Sequence, residues 1–231
     1  MKTTRTLRFL ITAGPTREFL DPIRFISNRS SGKMGYALAA AARAVSSHVM
    51  LVSGPTALTP PKGVEFVPVT TAQEMADAVL ARYDRCDVVI MTAAVCDFRP
   101  KRVAVRKIKK QKFTGTLELV PTIDILAELG KRKRAQLLVG FAAETDNLER
   151  NAGDKLQRKN LDLIIANDAS AFEADSSSVL LIRWDGTSER LARQPKLQLA
   201  RQLVQRVLAL RRQAFERFEI LRAGLLDDVG R

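Results

Sequence analysis

Near-continuous apolar runs, each shut off by Gly, Pro or small polar residues, restrict this chain more than anything else in it. Leu7 to Ala13 stops at Gly14-Pro15, and Ser47 to Ser53 stops at Gly54-Pro55. Val64 to Val69 is a third run, and Asp87 to Ala94 a fourth. Runs of this length without polar alternation predict strands buried on both faces, as in a parallel sheet. Helix patterns lie between them: an Ala-rich stretch from Gly32 to Val45, and a capping box, Thr71-Ala-Gln-Glu74, opening a helix through Arg85. The β-α-β-β-α-β order predicts an α/β fold, a mainly parallel sheet covered by helices on both faces. With 231 residues, 46% of them hydrophobic, the chain has enough apolar side chain to bury the core of one domain.

The second half departs from that rhythm before returning to it. Arg99 to Lys112 holds eight basic residues and no acidic one. Gly115 to Val120 reads as a strand, Ile123 to Lys131 as a helix, Leu137 to Phe141 as a strand and Glu144 to Lys159 as a helix. Leu161 to Ala166 is a further strand, ending in Asn167-Asp168. Val179 to Trp184 with the Asp185-Gly186 turn opens an edge hairpin. From Lys196 to about Arg222 runs a basic helix with Leu199, Leu203, Val207 and Leu210 on one stripe. We expect a single domain, 1–231, with a basic arm at about 99–120 and a C-terminal helical extension at about 196–231.

The charge balance, 38 Lys and Arg against 25 Asp and Glu for a net +13, leaves three partners open: nucleic acid, a membrane surface or polyanionic small molecules. One His excludes a multi-His metal site. Cys86 and Cys96 form no CxxC pair and lie in or beside apolar runs, which predicts buried free thiols. No run approaches the ~18 apolar residues of a membrane span, and the basic-then-apolar start reads as a first strand. The expected location is the cytoplasm, away from membranes. Aromatic residues are 6%, thin for a single-stranded nucleic-acid platform, and no recognition motif is present, so nucleic acid is not expected as a partner.

The first strand-loop-helix carries neither GxGxxG nor a Walker A, since Ser27 and Met34 stand at two of the required positions. That disfavours nicotinamide binding and P-loop hydrolysis. An anion site remains physically possible, because Ser30, Ser31 and Gly32 would put hydroxyl and backbone N–H groups at a helix start. Alone, a Ser cap and a packing Gly are the better explanation of them. Arg17, Arg24, Asn28, Arg29 and Lys33 add donors at the carboxyl end of strand one, where open α/β sheets bind ligands. Asp97 follows the small residues Ala93-Ala94, and could accept from a sugar or base or sit near a metal. Lys155 and Lys159, four apart, share a helix face.

Ile11-Thr-Ala-Gly-Pro-Thr-Arg-Glu18 and Asp21-Pro-Ile-Arg-Phe-Ile-Ser-Asn-Arg-Ser-Ser-Gly-Lys-Met-Gly35 together resemble the signature of bacterial phosphopantothenate–cysteine ligases. Ala93 to Pro100, Lys107-Ile-Lys-Lys110, Gly140-Phe-Ala-Ala-Glu-Thr145, Lys159-Asn-Leu-Asp162 and Asn167-Asp168 resemble that family's later motifs in the same order, over roughly residues 7 to 190. The resemblance implies a Rossmann-like homodimer whose basic arm serves dimerisation and a flap. It implies CTP as co-substrate, with Mg²⁺ assisting at ligands the motifs do not identify. Phosphopantothenate is activated as an acyl cytidylate, and L-cysteine then displaces CMP. The flavin decarboxylase portion found fused in many bacteria is missing from this sequence, so no FMN is expected. By resemblance, Asn28 holds the acyl intermediate and assists amide formation, with Arg24 and the Ala94 backbone beside it. Lys107 stabilises the triphosphate. Asp97, Ile123, Asp124, Ile125, Leu126, Phe141, Lys155 and Lys159 contact nucleotide. Ser30, Ser31 and Gly32 are assigned to phosphate on the helix-start argument. Cys96 and Phe98 replace the family's commoner Ala and Tyr.

Overall fold

The computed structural model describes residues 6–112, 115–144, 147–168 and 174–228. Phe113, Thr145 and the rim after Asp168, at 169–173, therefore lie outside the described residues. In chain order the elements are β1 (Arg8–Ala13), β2 (Arg17–Phe19), β3 (Phe25–Ser27), α1 (Lys33–Arg43), β4 (His48–Ser53), β5 (Glu65–Pro68) and α2 (Ala72–Leu80). Next come β6 (Val88–Met91), β7 (Phe98–Pro100), β8 (Leu119–Pro121), α3 (Ile125–Arg132), β9 (Leu137–Glu144) and α4 (Leu148–Arg158). The chain closes with β10 (Leu163–Asp168), β11 (Ser176–Arg183), β12 (Ser188–Pro195) and α5 (Lys196–Asp228).

Eight strands form one sheet in the order β12-β11-β10-β9-β6-β1-β4-β5. From β5 across to β10 every pairing is parallel, and β11 and β12 add an antiparallel edge. The chain steps outward from β1 through β4 to β5, then crosses back to lay β6 on the other side of β1. This is the Rossmann-like order, and its switch point lies between β1 and β6. Helices α1 and α5 cover one face: Leu38, Ala39 and Ala42 pack with Leu199, Leu203 and Val207 around β1, β6 and β9. Helices α2, α3 and α4 cover the other, through Met75 and Val79, Leu129, and Ala152 and Leu156. The predicted stripe of α5 is buried as far as Leu210, so the front of this helix is part of the core and not an appendage beyond it. Among the described residues, no helix is long and apolar enough to cross a membrane.

Several predicted boundaries shift, each for a visible reason. The long loop at 15–32 folds a small hairpin of β2 and β3, too short to register as strands in a pattern. Strand β6 stops at Met91 because Thr92 and Ala93 turn their N–H groups to Thr12 Oγ1, both at 3.1 Å, and not to the ladder. Helix α2 ends at Leu80, and Tyr83–Arg85 is a separate 3-10 turn. Its capping box is present as read, with Thr71 and Glu74 exchanging bonds. Glu144 was expected to begin a helix. It instead extends β9, pairing with Asp168 of β10, and α4 starts at Leu148. The strand expected at 115–120 is confined to Leu119–Pro121, which pairs with Phe98–Pro100 to form the base of the basic arm.

Candidate active site

Helix α1 sits unusually close to the sheet. A Cβ on Gly35 would lie 2.5 Å from Ala13 Cβ and 2.7 Å from Thr92 Oγ1, so only glycine admits this approach. Gly32 caps α1 in the left-handed conformation, φ 75°, and no side chain caps the helix. The Ser cap considered from sequence is thus replaced by a bare glycine cap, leaving first-turn N–H groups at the mouth of the switch point. Beyond β1 and β6 the backbones stay stitched: Ala94 N–H donates to Gly14 O at 2.9 Å, and Cys96 N–H to Thr16 Oγ1 at 2.9 Å. Thr122 Oγ1 donates to Cys96 O, bringing the 121–126 segment to the same rim.

These contacts enclose a cleft of about 890 Å³, at the upper end of the ~300–1,000 Å³ typical of small-molecule sites. Its walls include Asn28, Ser30, Ser31, Gly32, Ala94, Asp97, Ile123, Asp124, Ile125, Leu126, Phe141, Lys155 and Lys159. Segments spread over more than 130 positions of sequence thus converge on one space. Among the described residues, five basic side chains (Arg29, Lys33, Lys155, Lys159 and Lys196) line it against two acidic ones, Asp97 and Asp124. The cleft is built to receive anions.

Asn28 Nδ2 donates to the carbonyls of Val95 at 2.9 Å and Ala94 at 3.3 Å. The resemblance gives this residue to the acyl intermediate and to amide formation. Here its hydrogens are committed to the turn, and Oδ1 is the end that can accept. Lys155 Nζ donates to Phe141 O at 3.2 Å, which engages the backbone atom expected to meet nucleotide. Lys159 Nζ reaches both Asp124 oxygens, at 2.9 and 2.7 Å, while Asp124 also caps α3 through Ala127 N–H at 3.0 Å. Burial pushes the Asp124 carboxyl up, but the Lys159 and Ala127 hydrogen bonds outweigh it and hold it below the usual range. Lys155 on α4 and Lys159, the residue that caps its end, both face the cleft rather than forming a solvated helix surface.

Arg24 and Lys107 do not line the cleft. Arg24 binds Asp21 Oδ2 through Nε at 3.0 Å and donates to Ile108 O at 2.9 Å. Asp21 is fully buried and accepts from the backbone N–H groups of Ile23, Arg24 and Ile108. The Arg24 guanidinium holds the Asp21 carboxyl well below the usual range. Asp21 is therefore a clasp between the β2–β3 turn and the arm, and it sets the position of exposed Lys107 next door. The sequence reading gave Asp21 no role of its own; its place in a turn before Pro22 was the available signal. It also missed Lys196, whose signal is a lysine at a helix start immediately after an edge strand.

The thiols are structural. Burial pushes Cys86 up to about 11, and Cys96, 3% exposed, is likewise raised by burial. Both are free cysteines.

A Rossmann-like sheet with a cation-lined cleft at its switch point defines the class: an α/β domain shaped for phosphate-bearing ligands. Comparison with known proteins gives the family. The profile of the DNA/pantothenate metabolism flavoprotein C-terminal domain matches residues 4–210, and the chain belongs to that family. It is 52% identical over 213 residues to the coenzyme A biosynthesis bifunctional protein CoaBC of Bacillus subtilis, covering 90% of this chain and 52% of that protein. It is 49% identical over 188 residues to the Escherichia coli K12 protein of the same name, covering 78% of this chain and 46% of that one. The chain thus spans about half the length of these relatives. Among solved structures, the C-terminal domain of a CoaBC superposes with a TM-score of 0.76 at 48% identity, covering 87% of this chain and 93% of that one. A Cab2 variant solved with phosphopantothenate-cysteine shares the fold, with a TM-score of 0.79 at 19% identity, covering 93% of this chain and 89% of that one.

Proposed function

We propose that this domain joins 4′-phosphopantothenate to L-cysteine in coenzyme A biosynthesis, spending CTP, and that it works as a homodimer. The observation that carries the reading is the convergence of residues from several of the family motifs, Asn28 to Gly35, Ala93 to Val95 with Asp97 and Phe98, Phe141 to Ala143, Lys159 and Asn167, on a single cleft with a cationic lining, the Lys107-Ile-Lys-Lys110 run standing outside it. In the first step a carboxylate oxygen of phosphopantothenate attacks the α-phosphorus of CTP, and pyrophosphate leaves with the electron pair of the broken P–O bond. In the second, the cysteine amine attacks the acyl carbon, CMP leaves, and the amine loses a proton.

Both steps concentrate negative charge, which fixed cations and backbone donors stabilise without reorganising. Lys155 and Lys159 lie where they can hold nucleotide. Asn28 Oδ1 can accept from the incoming amine and turn its lone pair toward the acyl carbon, while its Nδ2 keeps the Ala94-Val95 turn in place. The exposed apolar side chains of the arm, Val103 and Val105, supply a surface for the second copy.

Magnesium fits this donor set in one way. No group of three His, Cys, Asp or Glu side chains among the described residues could hold a metal alone. Mg²⁺ is commonly held by one or two carboxylates and substrate phosphates; Asp97 and Asp124 are both exposed carboxylates in the cleft wall, and since Asp124 is engaged by Lys159, Asp97 is the one that would hold the ion. When bound it would neutralise triphosphate charge. The test is a thermal-shift comparison of CTP, ATP and NAD, each with and without phosphopantothenate. The largest stabilisation is expected from CTP, and stabilisation by NAD alone would reject the reading.

A further inference from the structure

Thr16 stands in the first of the family motifs, fully buried and outside the cleft lining. Its atoms nevertheless reach both stretches assigned to the acyl intermediate. Thr16 Oγ1 accepts the Cys96 N–H at 2.9 Å. Its carbonyl accepts from Ser27 Oγ at 2.7 Å, and the Cys96 thiol lies 3.5 Å from the same oxygen. Its own N–H donates to Ala94 O at 3.4 Å. Ser27 immediately precedes Asn28, and Cys96 immediately follows Val95. Asn28 in turn grips the Ala94 and Val95 carbonyls. One buried residue thus fastens both partners of that grip: the backbone that carries Asn28 and the turn that Asn28 holds.

The hydroxyl is placed where the ladder gives out. Strand β6 ends at Met91, and at Cys96 the N–H is met by a threonine side chain in place of a strand carbonyl. The nucleotide rim has a hold of its own. Thr122 Oγ1 donates to Cys96 O, and Thr122 N–H donates to Asp97 O at 2.9 Å, so that rim stays tied to the turn without Thr16. Loss of the Thr16 hydroxyl therefore loosens the side of the turn that faces Asn28 and spares the side that faces Asp124.

We infer that Thr16 is a positioning residue for amide formation, which touches no substrate and acts by keeping Asn28 and the Ala94–Cys96 turn in mutual register. This rests on the proposed reading, in which Asn28 serves the second step. A misplacement of about 1 Å at a reacting group can cost about a hundredfold in rate.

The test compares T16V, which keeps the shape of the side chain and removes the acceptor, with T16S, which keeps the acceptor. In quenched-flow assays T16V should slow conversion of the acyl cytidylate to amide about tenfold or more. Pyrophosphate release and the CTP KM should stay within about twofold, and T16S should recover the amide step, a split that a general folding defect would not produce. S27A loosens only the backbone before Asn28 and spares the buried threonine; it should slow the same step by a smaller factor. Equal losses in both steps, T16S as slow as T16V, or an unchanged amide step in S27A would overturn the assignment. The coupling is also read without turnover, from the Asn28 side-chain amide resonance in nitrogen-15-labelled protein. If the wild-type protein released no pyrophosphate, the reaction reading would fall. A resonance that shifts in T16V and returns in T16S would still support the coupling, and one that stays in place in T16V would remove it.

Discussion

The cleft and the basic arm are held in place by different means. The cleft is positioned by the sheet: β1 and β6 fix Thr12 and Thr92, Gly35 lets α1 press against them, and the Ala94 and Cys96 backbones are bonded to Gly14 and Thr16. Its residues are where main-chain geometry puts them. The arm hangs from a two-stranded base, from an Ala104 N–H bond to Leu20 O at 2.9 Å, and from one buried carboxylate, Asp21, that binds both Arg24 and Ile108. Lys107 is consequently exposed outside the cleft, and under the proposed reaction it would reach the triphosphate only by arm movement or from a second copy. A pre-organised site and a delivered side chain should respond differently to mutation.

The largest effect should fall on the cleft. Asn28→Asp places a carboxylate oxygen against the Ala94 and Val95 carbonyls and should slow amide formation by about a hundredfold or more. Acyl cytidylate should accumulate in quenched reactions with labelled CTP, and equal loss of both partial steps would break the assignment. Next comes the arm. Lys107→Gln should slow pyrophosphate release by about tenfold or more while leaving CTP-induced thermal stabilisation intact. Unchanged cytidylation would remove Lys107 from the first step.

Stability sharpens the contrast. Gly35→Ala drives a methyl into Ala13 and Thr92, and should cost about 1–3 kcal/mol in urea unfolding. Asp21→Asn should chiefly alter the acid side of the stability curve. The folded Asp21 carboxyl is held below its unfolded value of 3.8. Its contribution is therefore complete above that pH and is lost as pH falls through the folded value. Melting temperatures measured down through this window should fall less steeply in the variant than in the wild type. The smallest effect belongs to the exposed Arg102, whose replacement by Ala should leave stability within about 0.5 kcal/mol.

The strands were legible because Phe9 to Ile11 and Val88 to Met91 are apolar without interruption, and such runs have one stable place in an α/β sheet. The cleft residues were legible because their motifs sit at strand ends and helix starts, which the sheet order brings together. Asp124 and Lys159, 35 positions apart, meet for that reason. What could not be read depends on tertiary contact. The three-residue strands β2 and β3 pair only with each other, and Glu144 is a strand residue only because Asp168 lies beside it. Arg24 carries a motif, yet the carboxylate three residues before it draws it away from the cleft. Lys196 reads as one more charge on a basic helix, and only the packing of the start of α5 buries it.

Pyrophosphate release before cysteine is added tests the central claim most directly. With Mg²⁺ present, purified protein should release pyrophosphate only when CTP and phosphopantothenate are supplied together, and should form product only after cysteine follows. Release from CTP alone, or none from either CTP or ATP with the acid present, would contradict it.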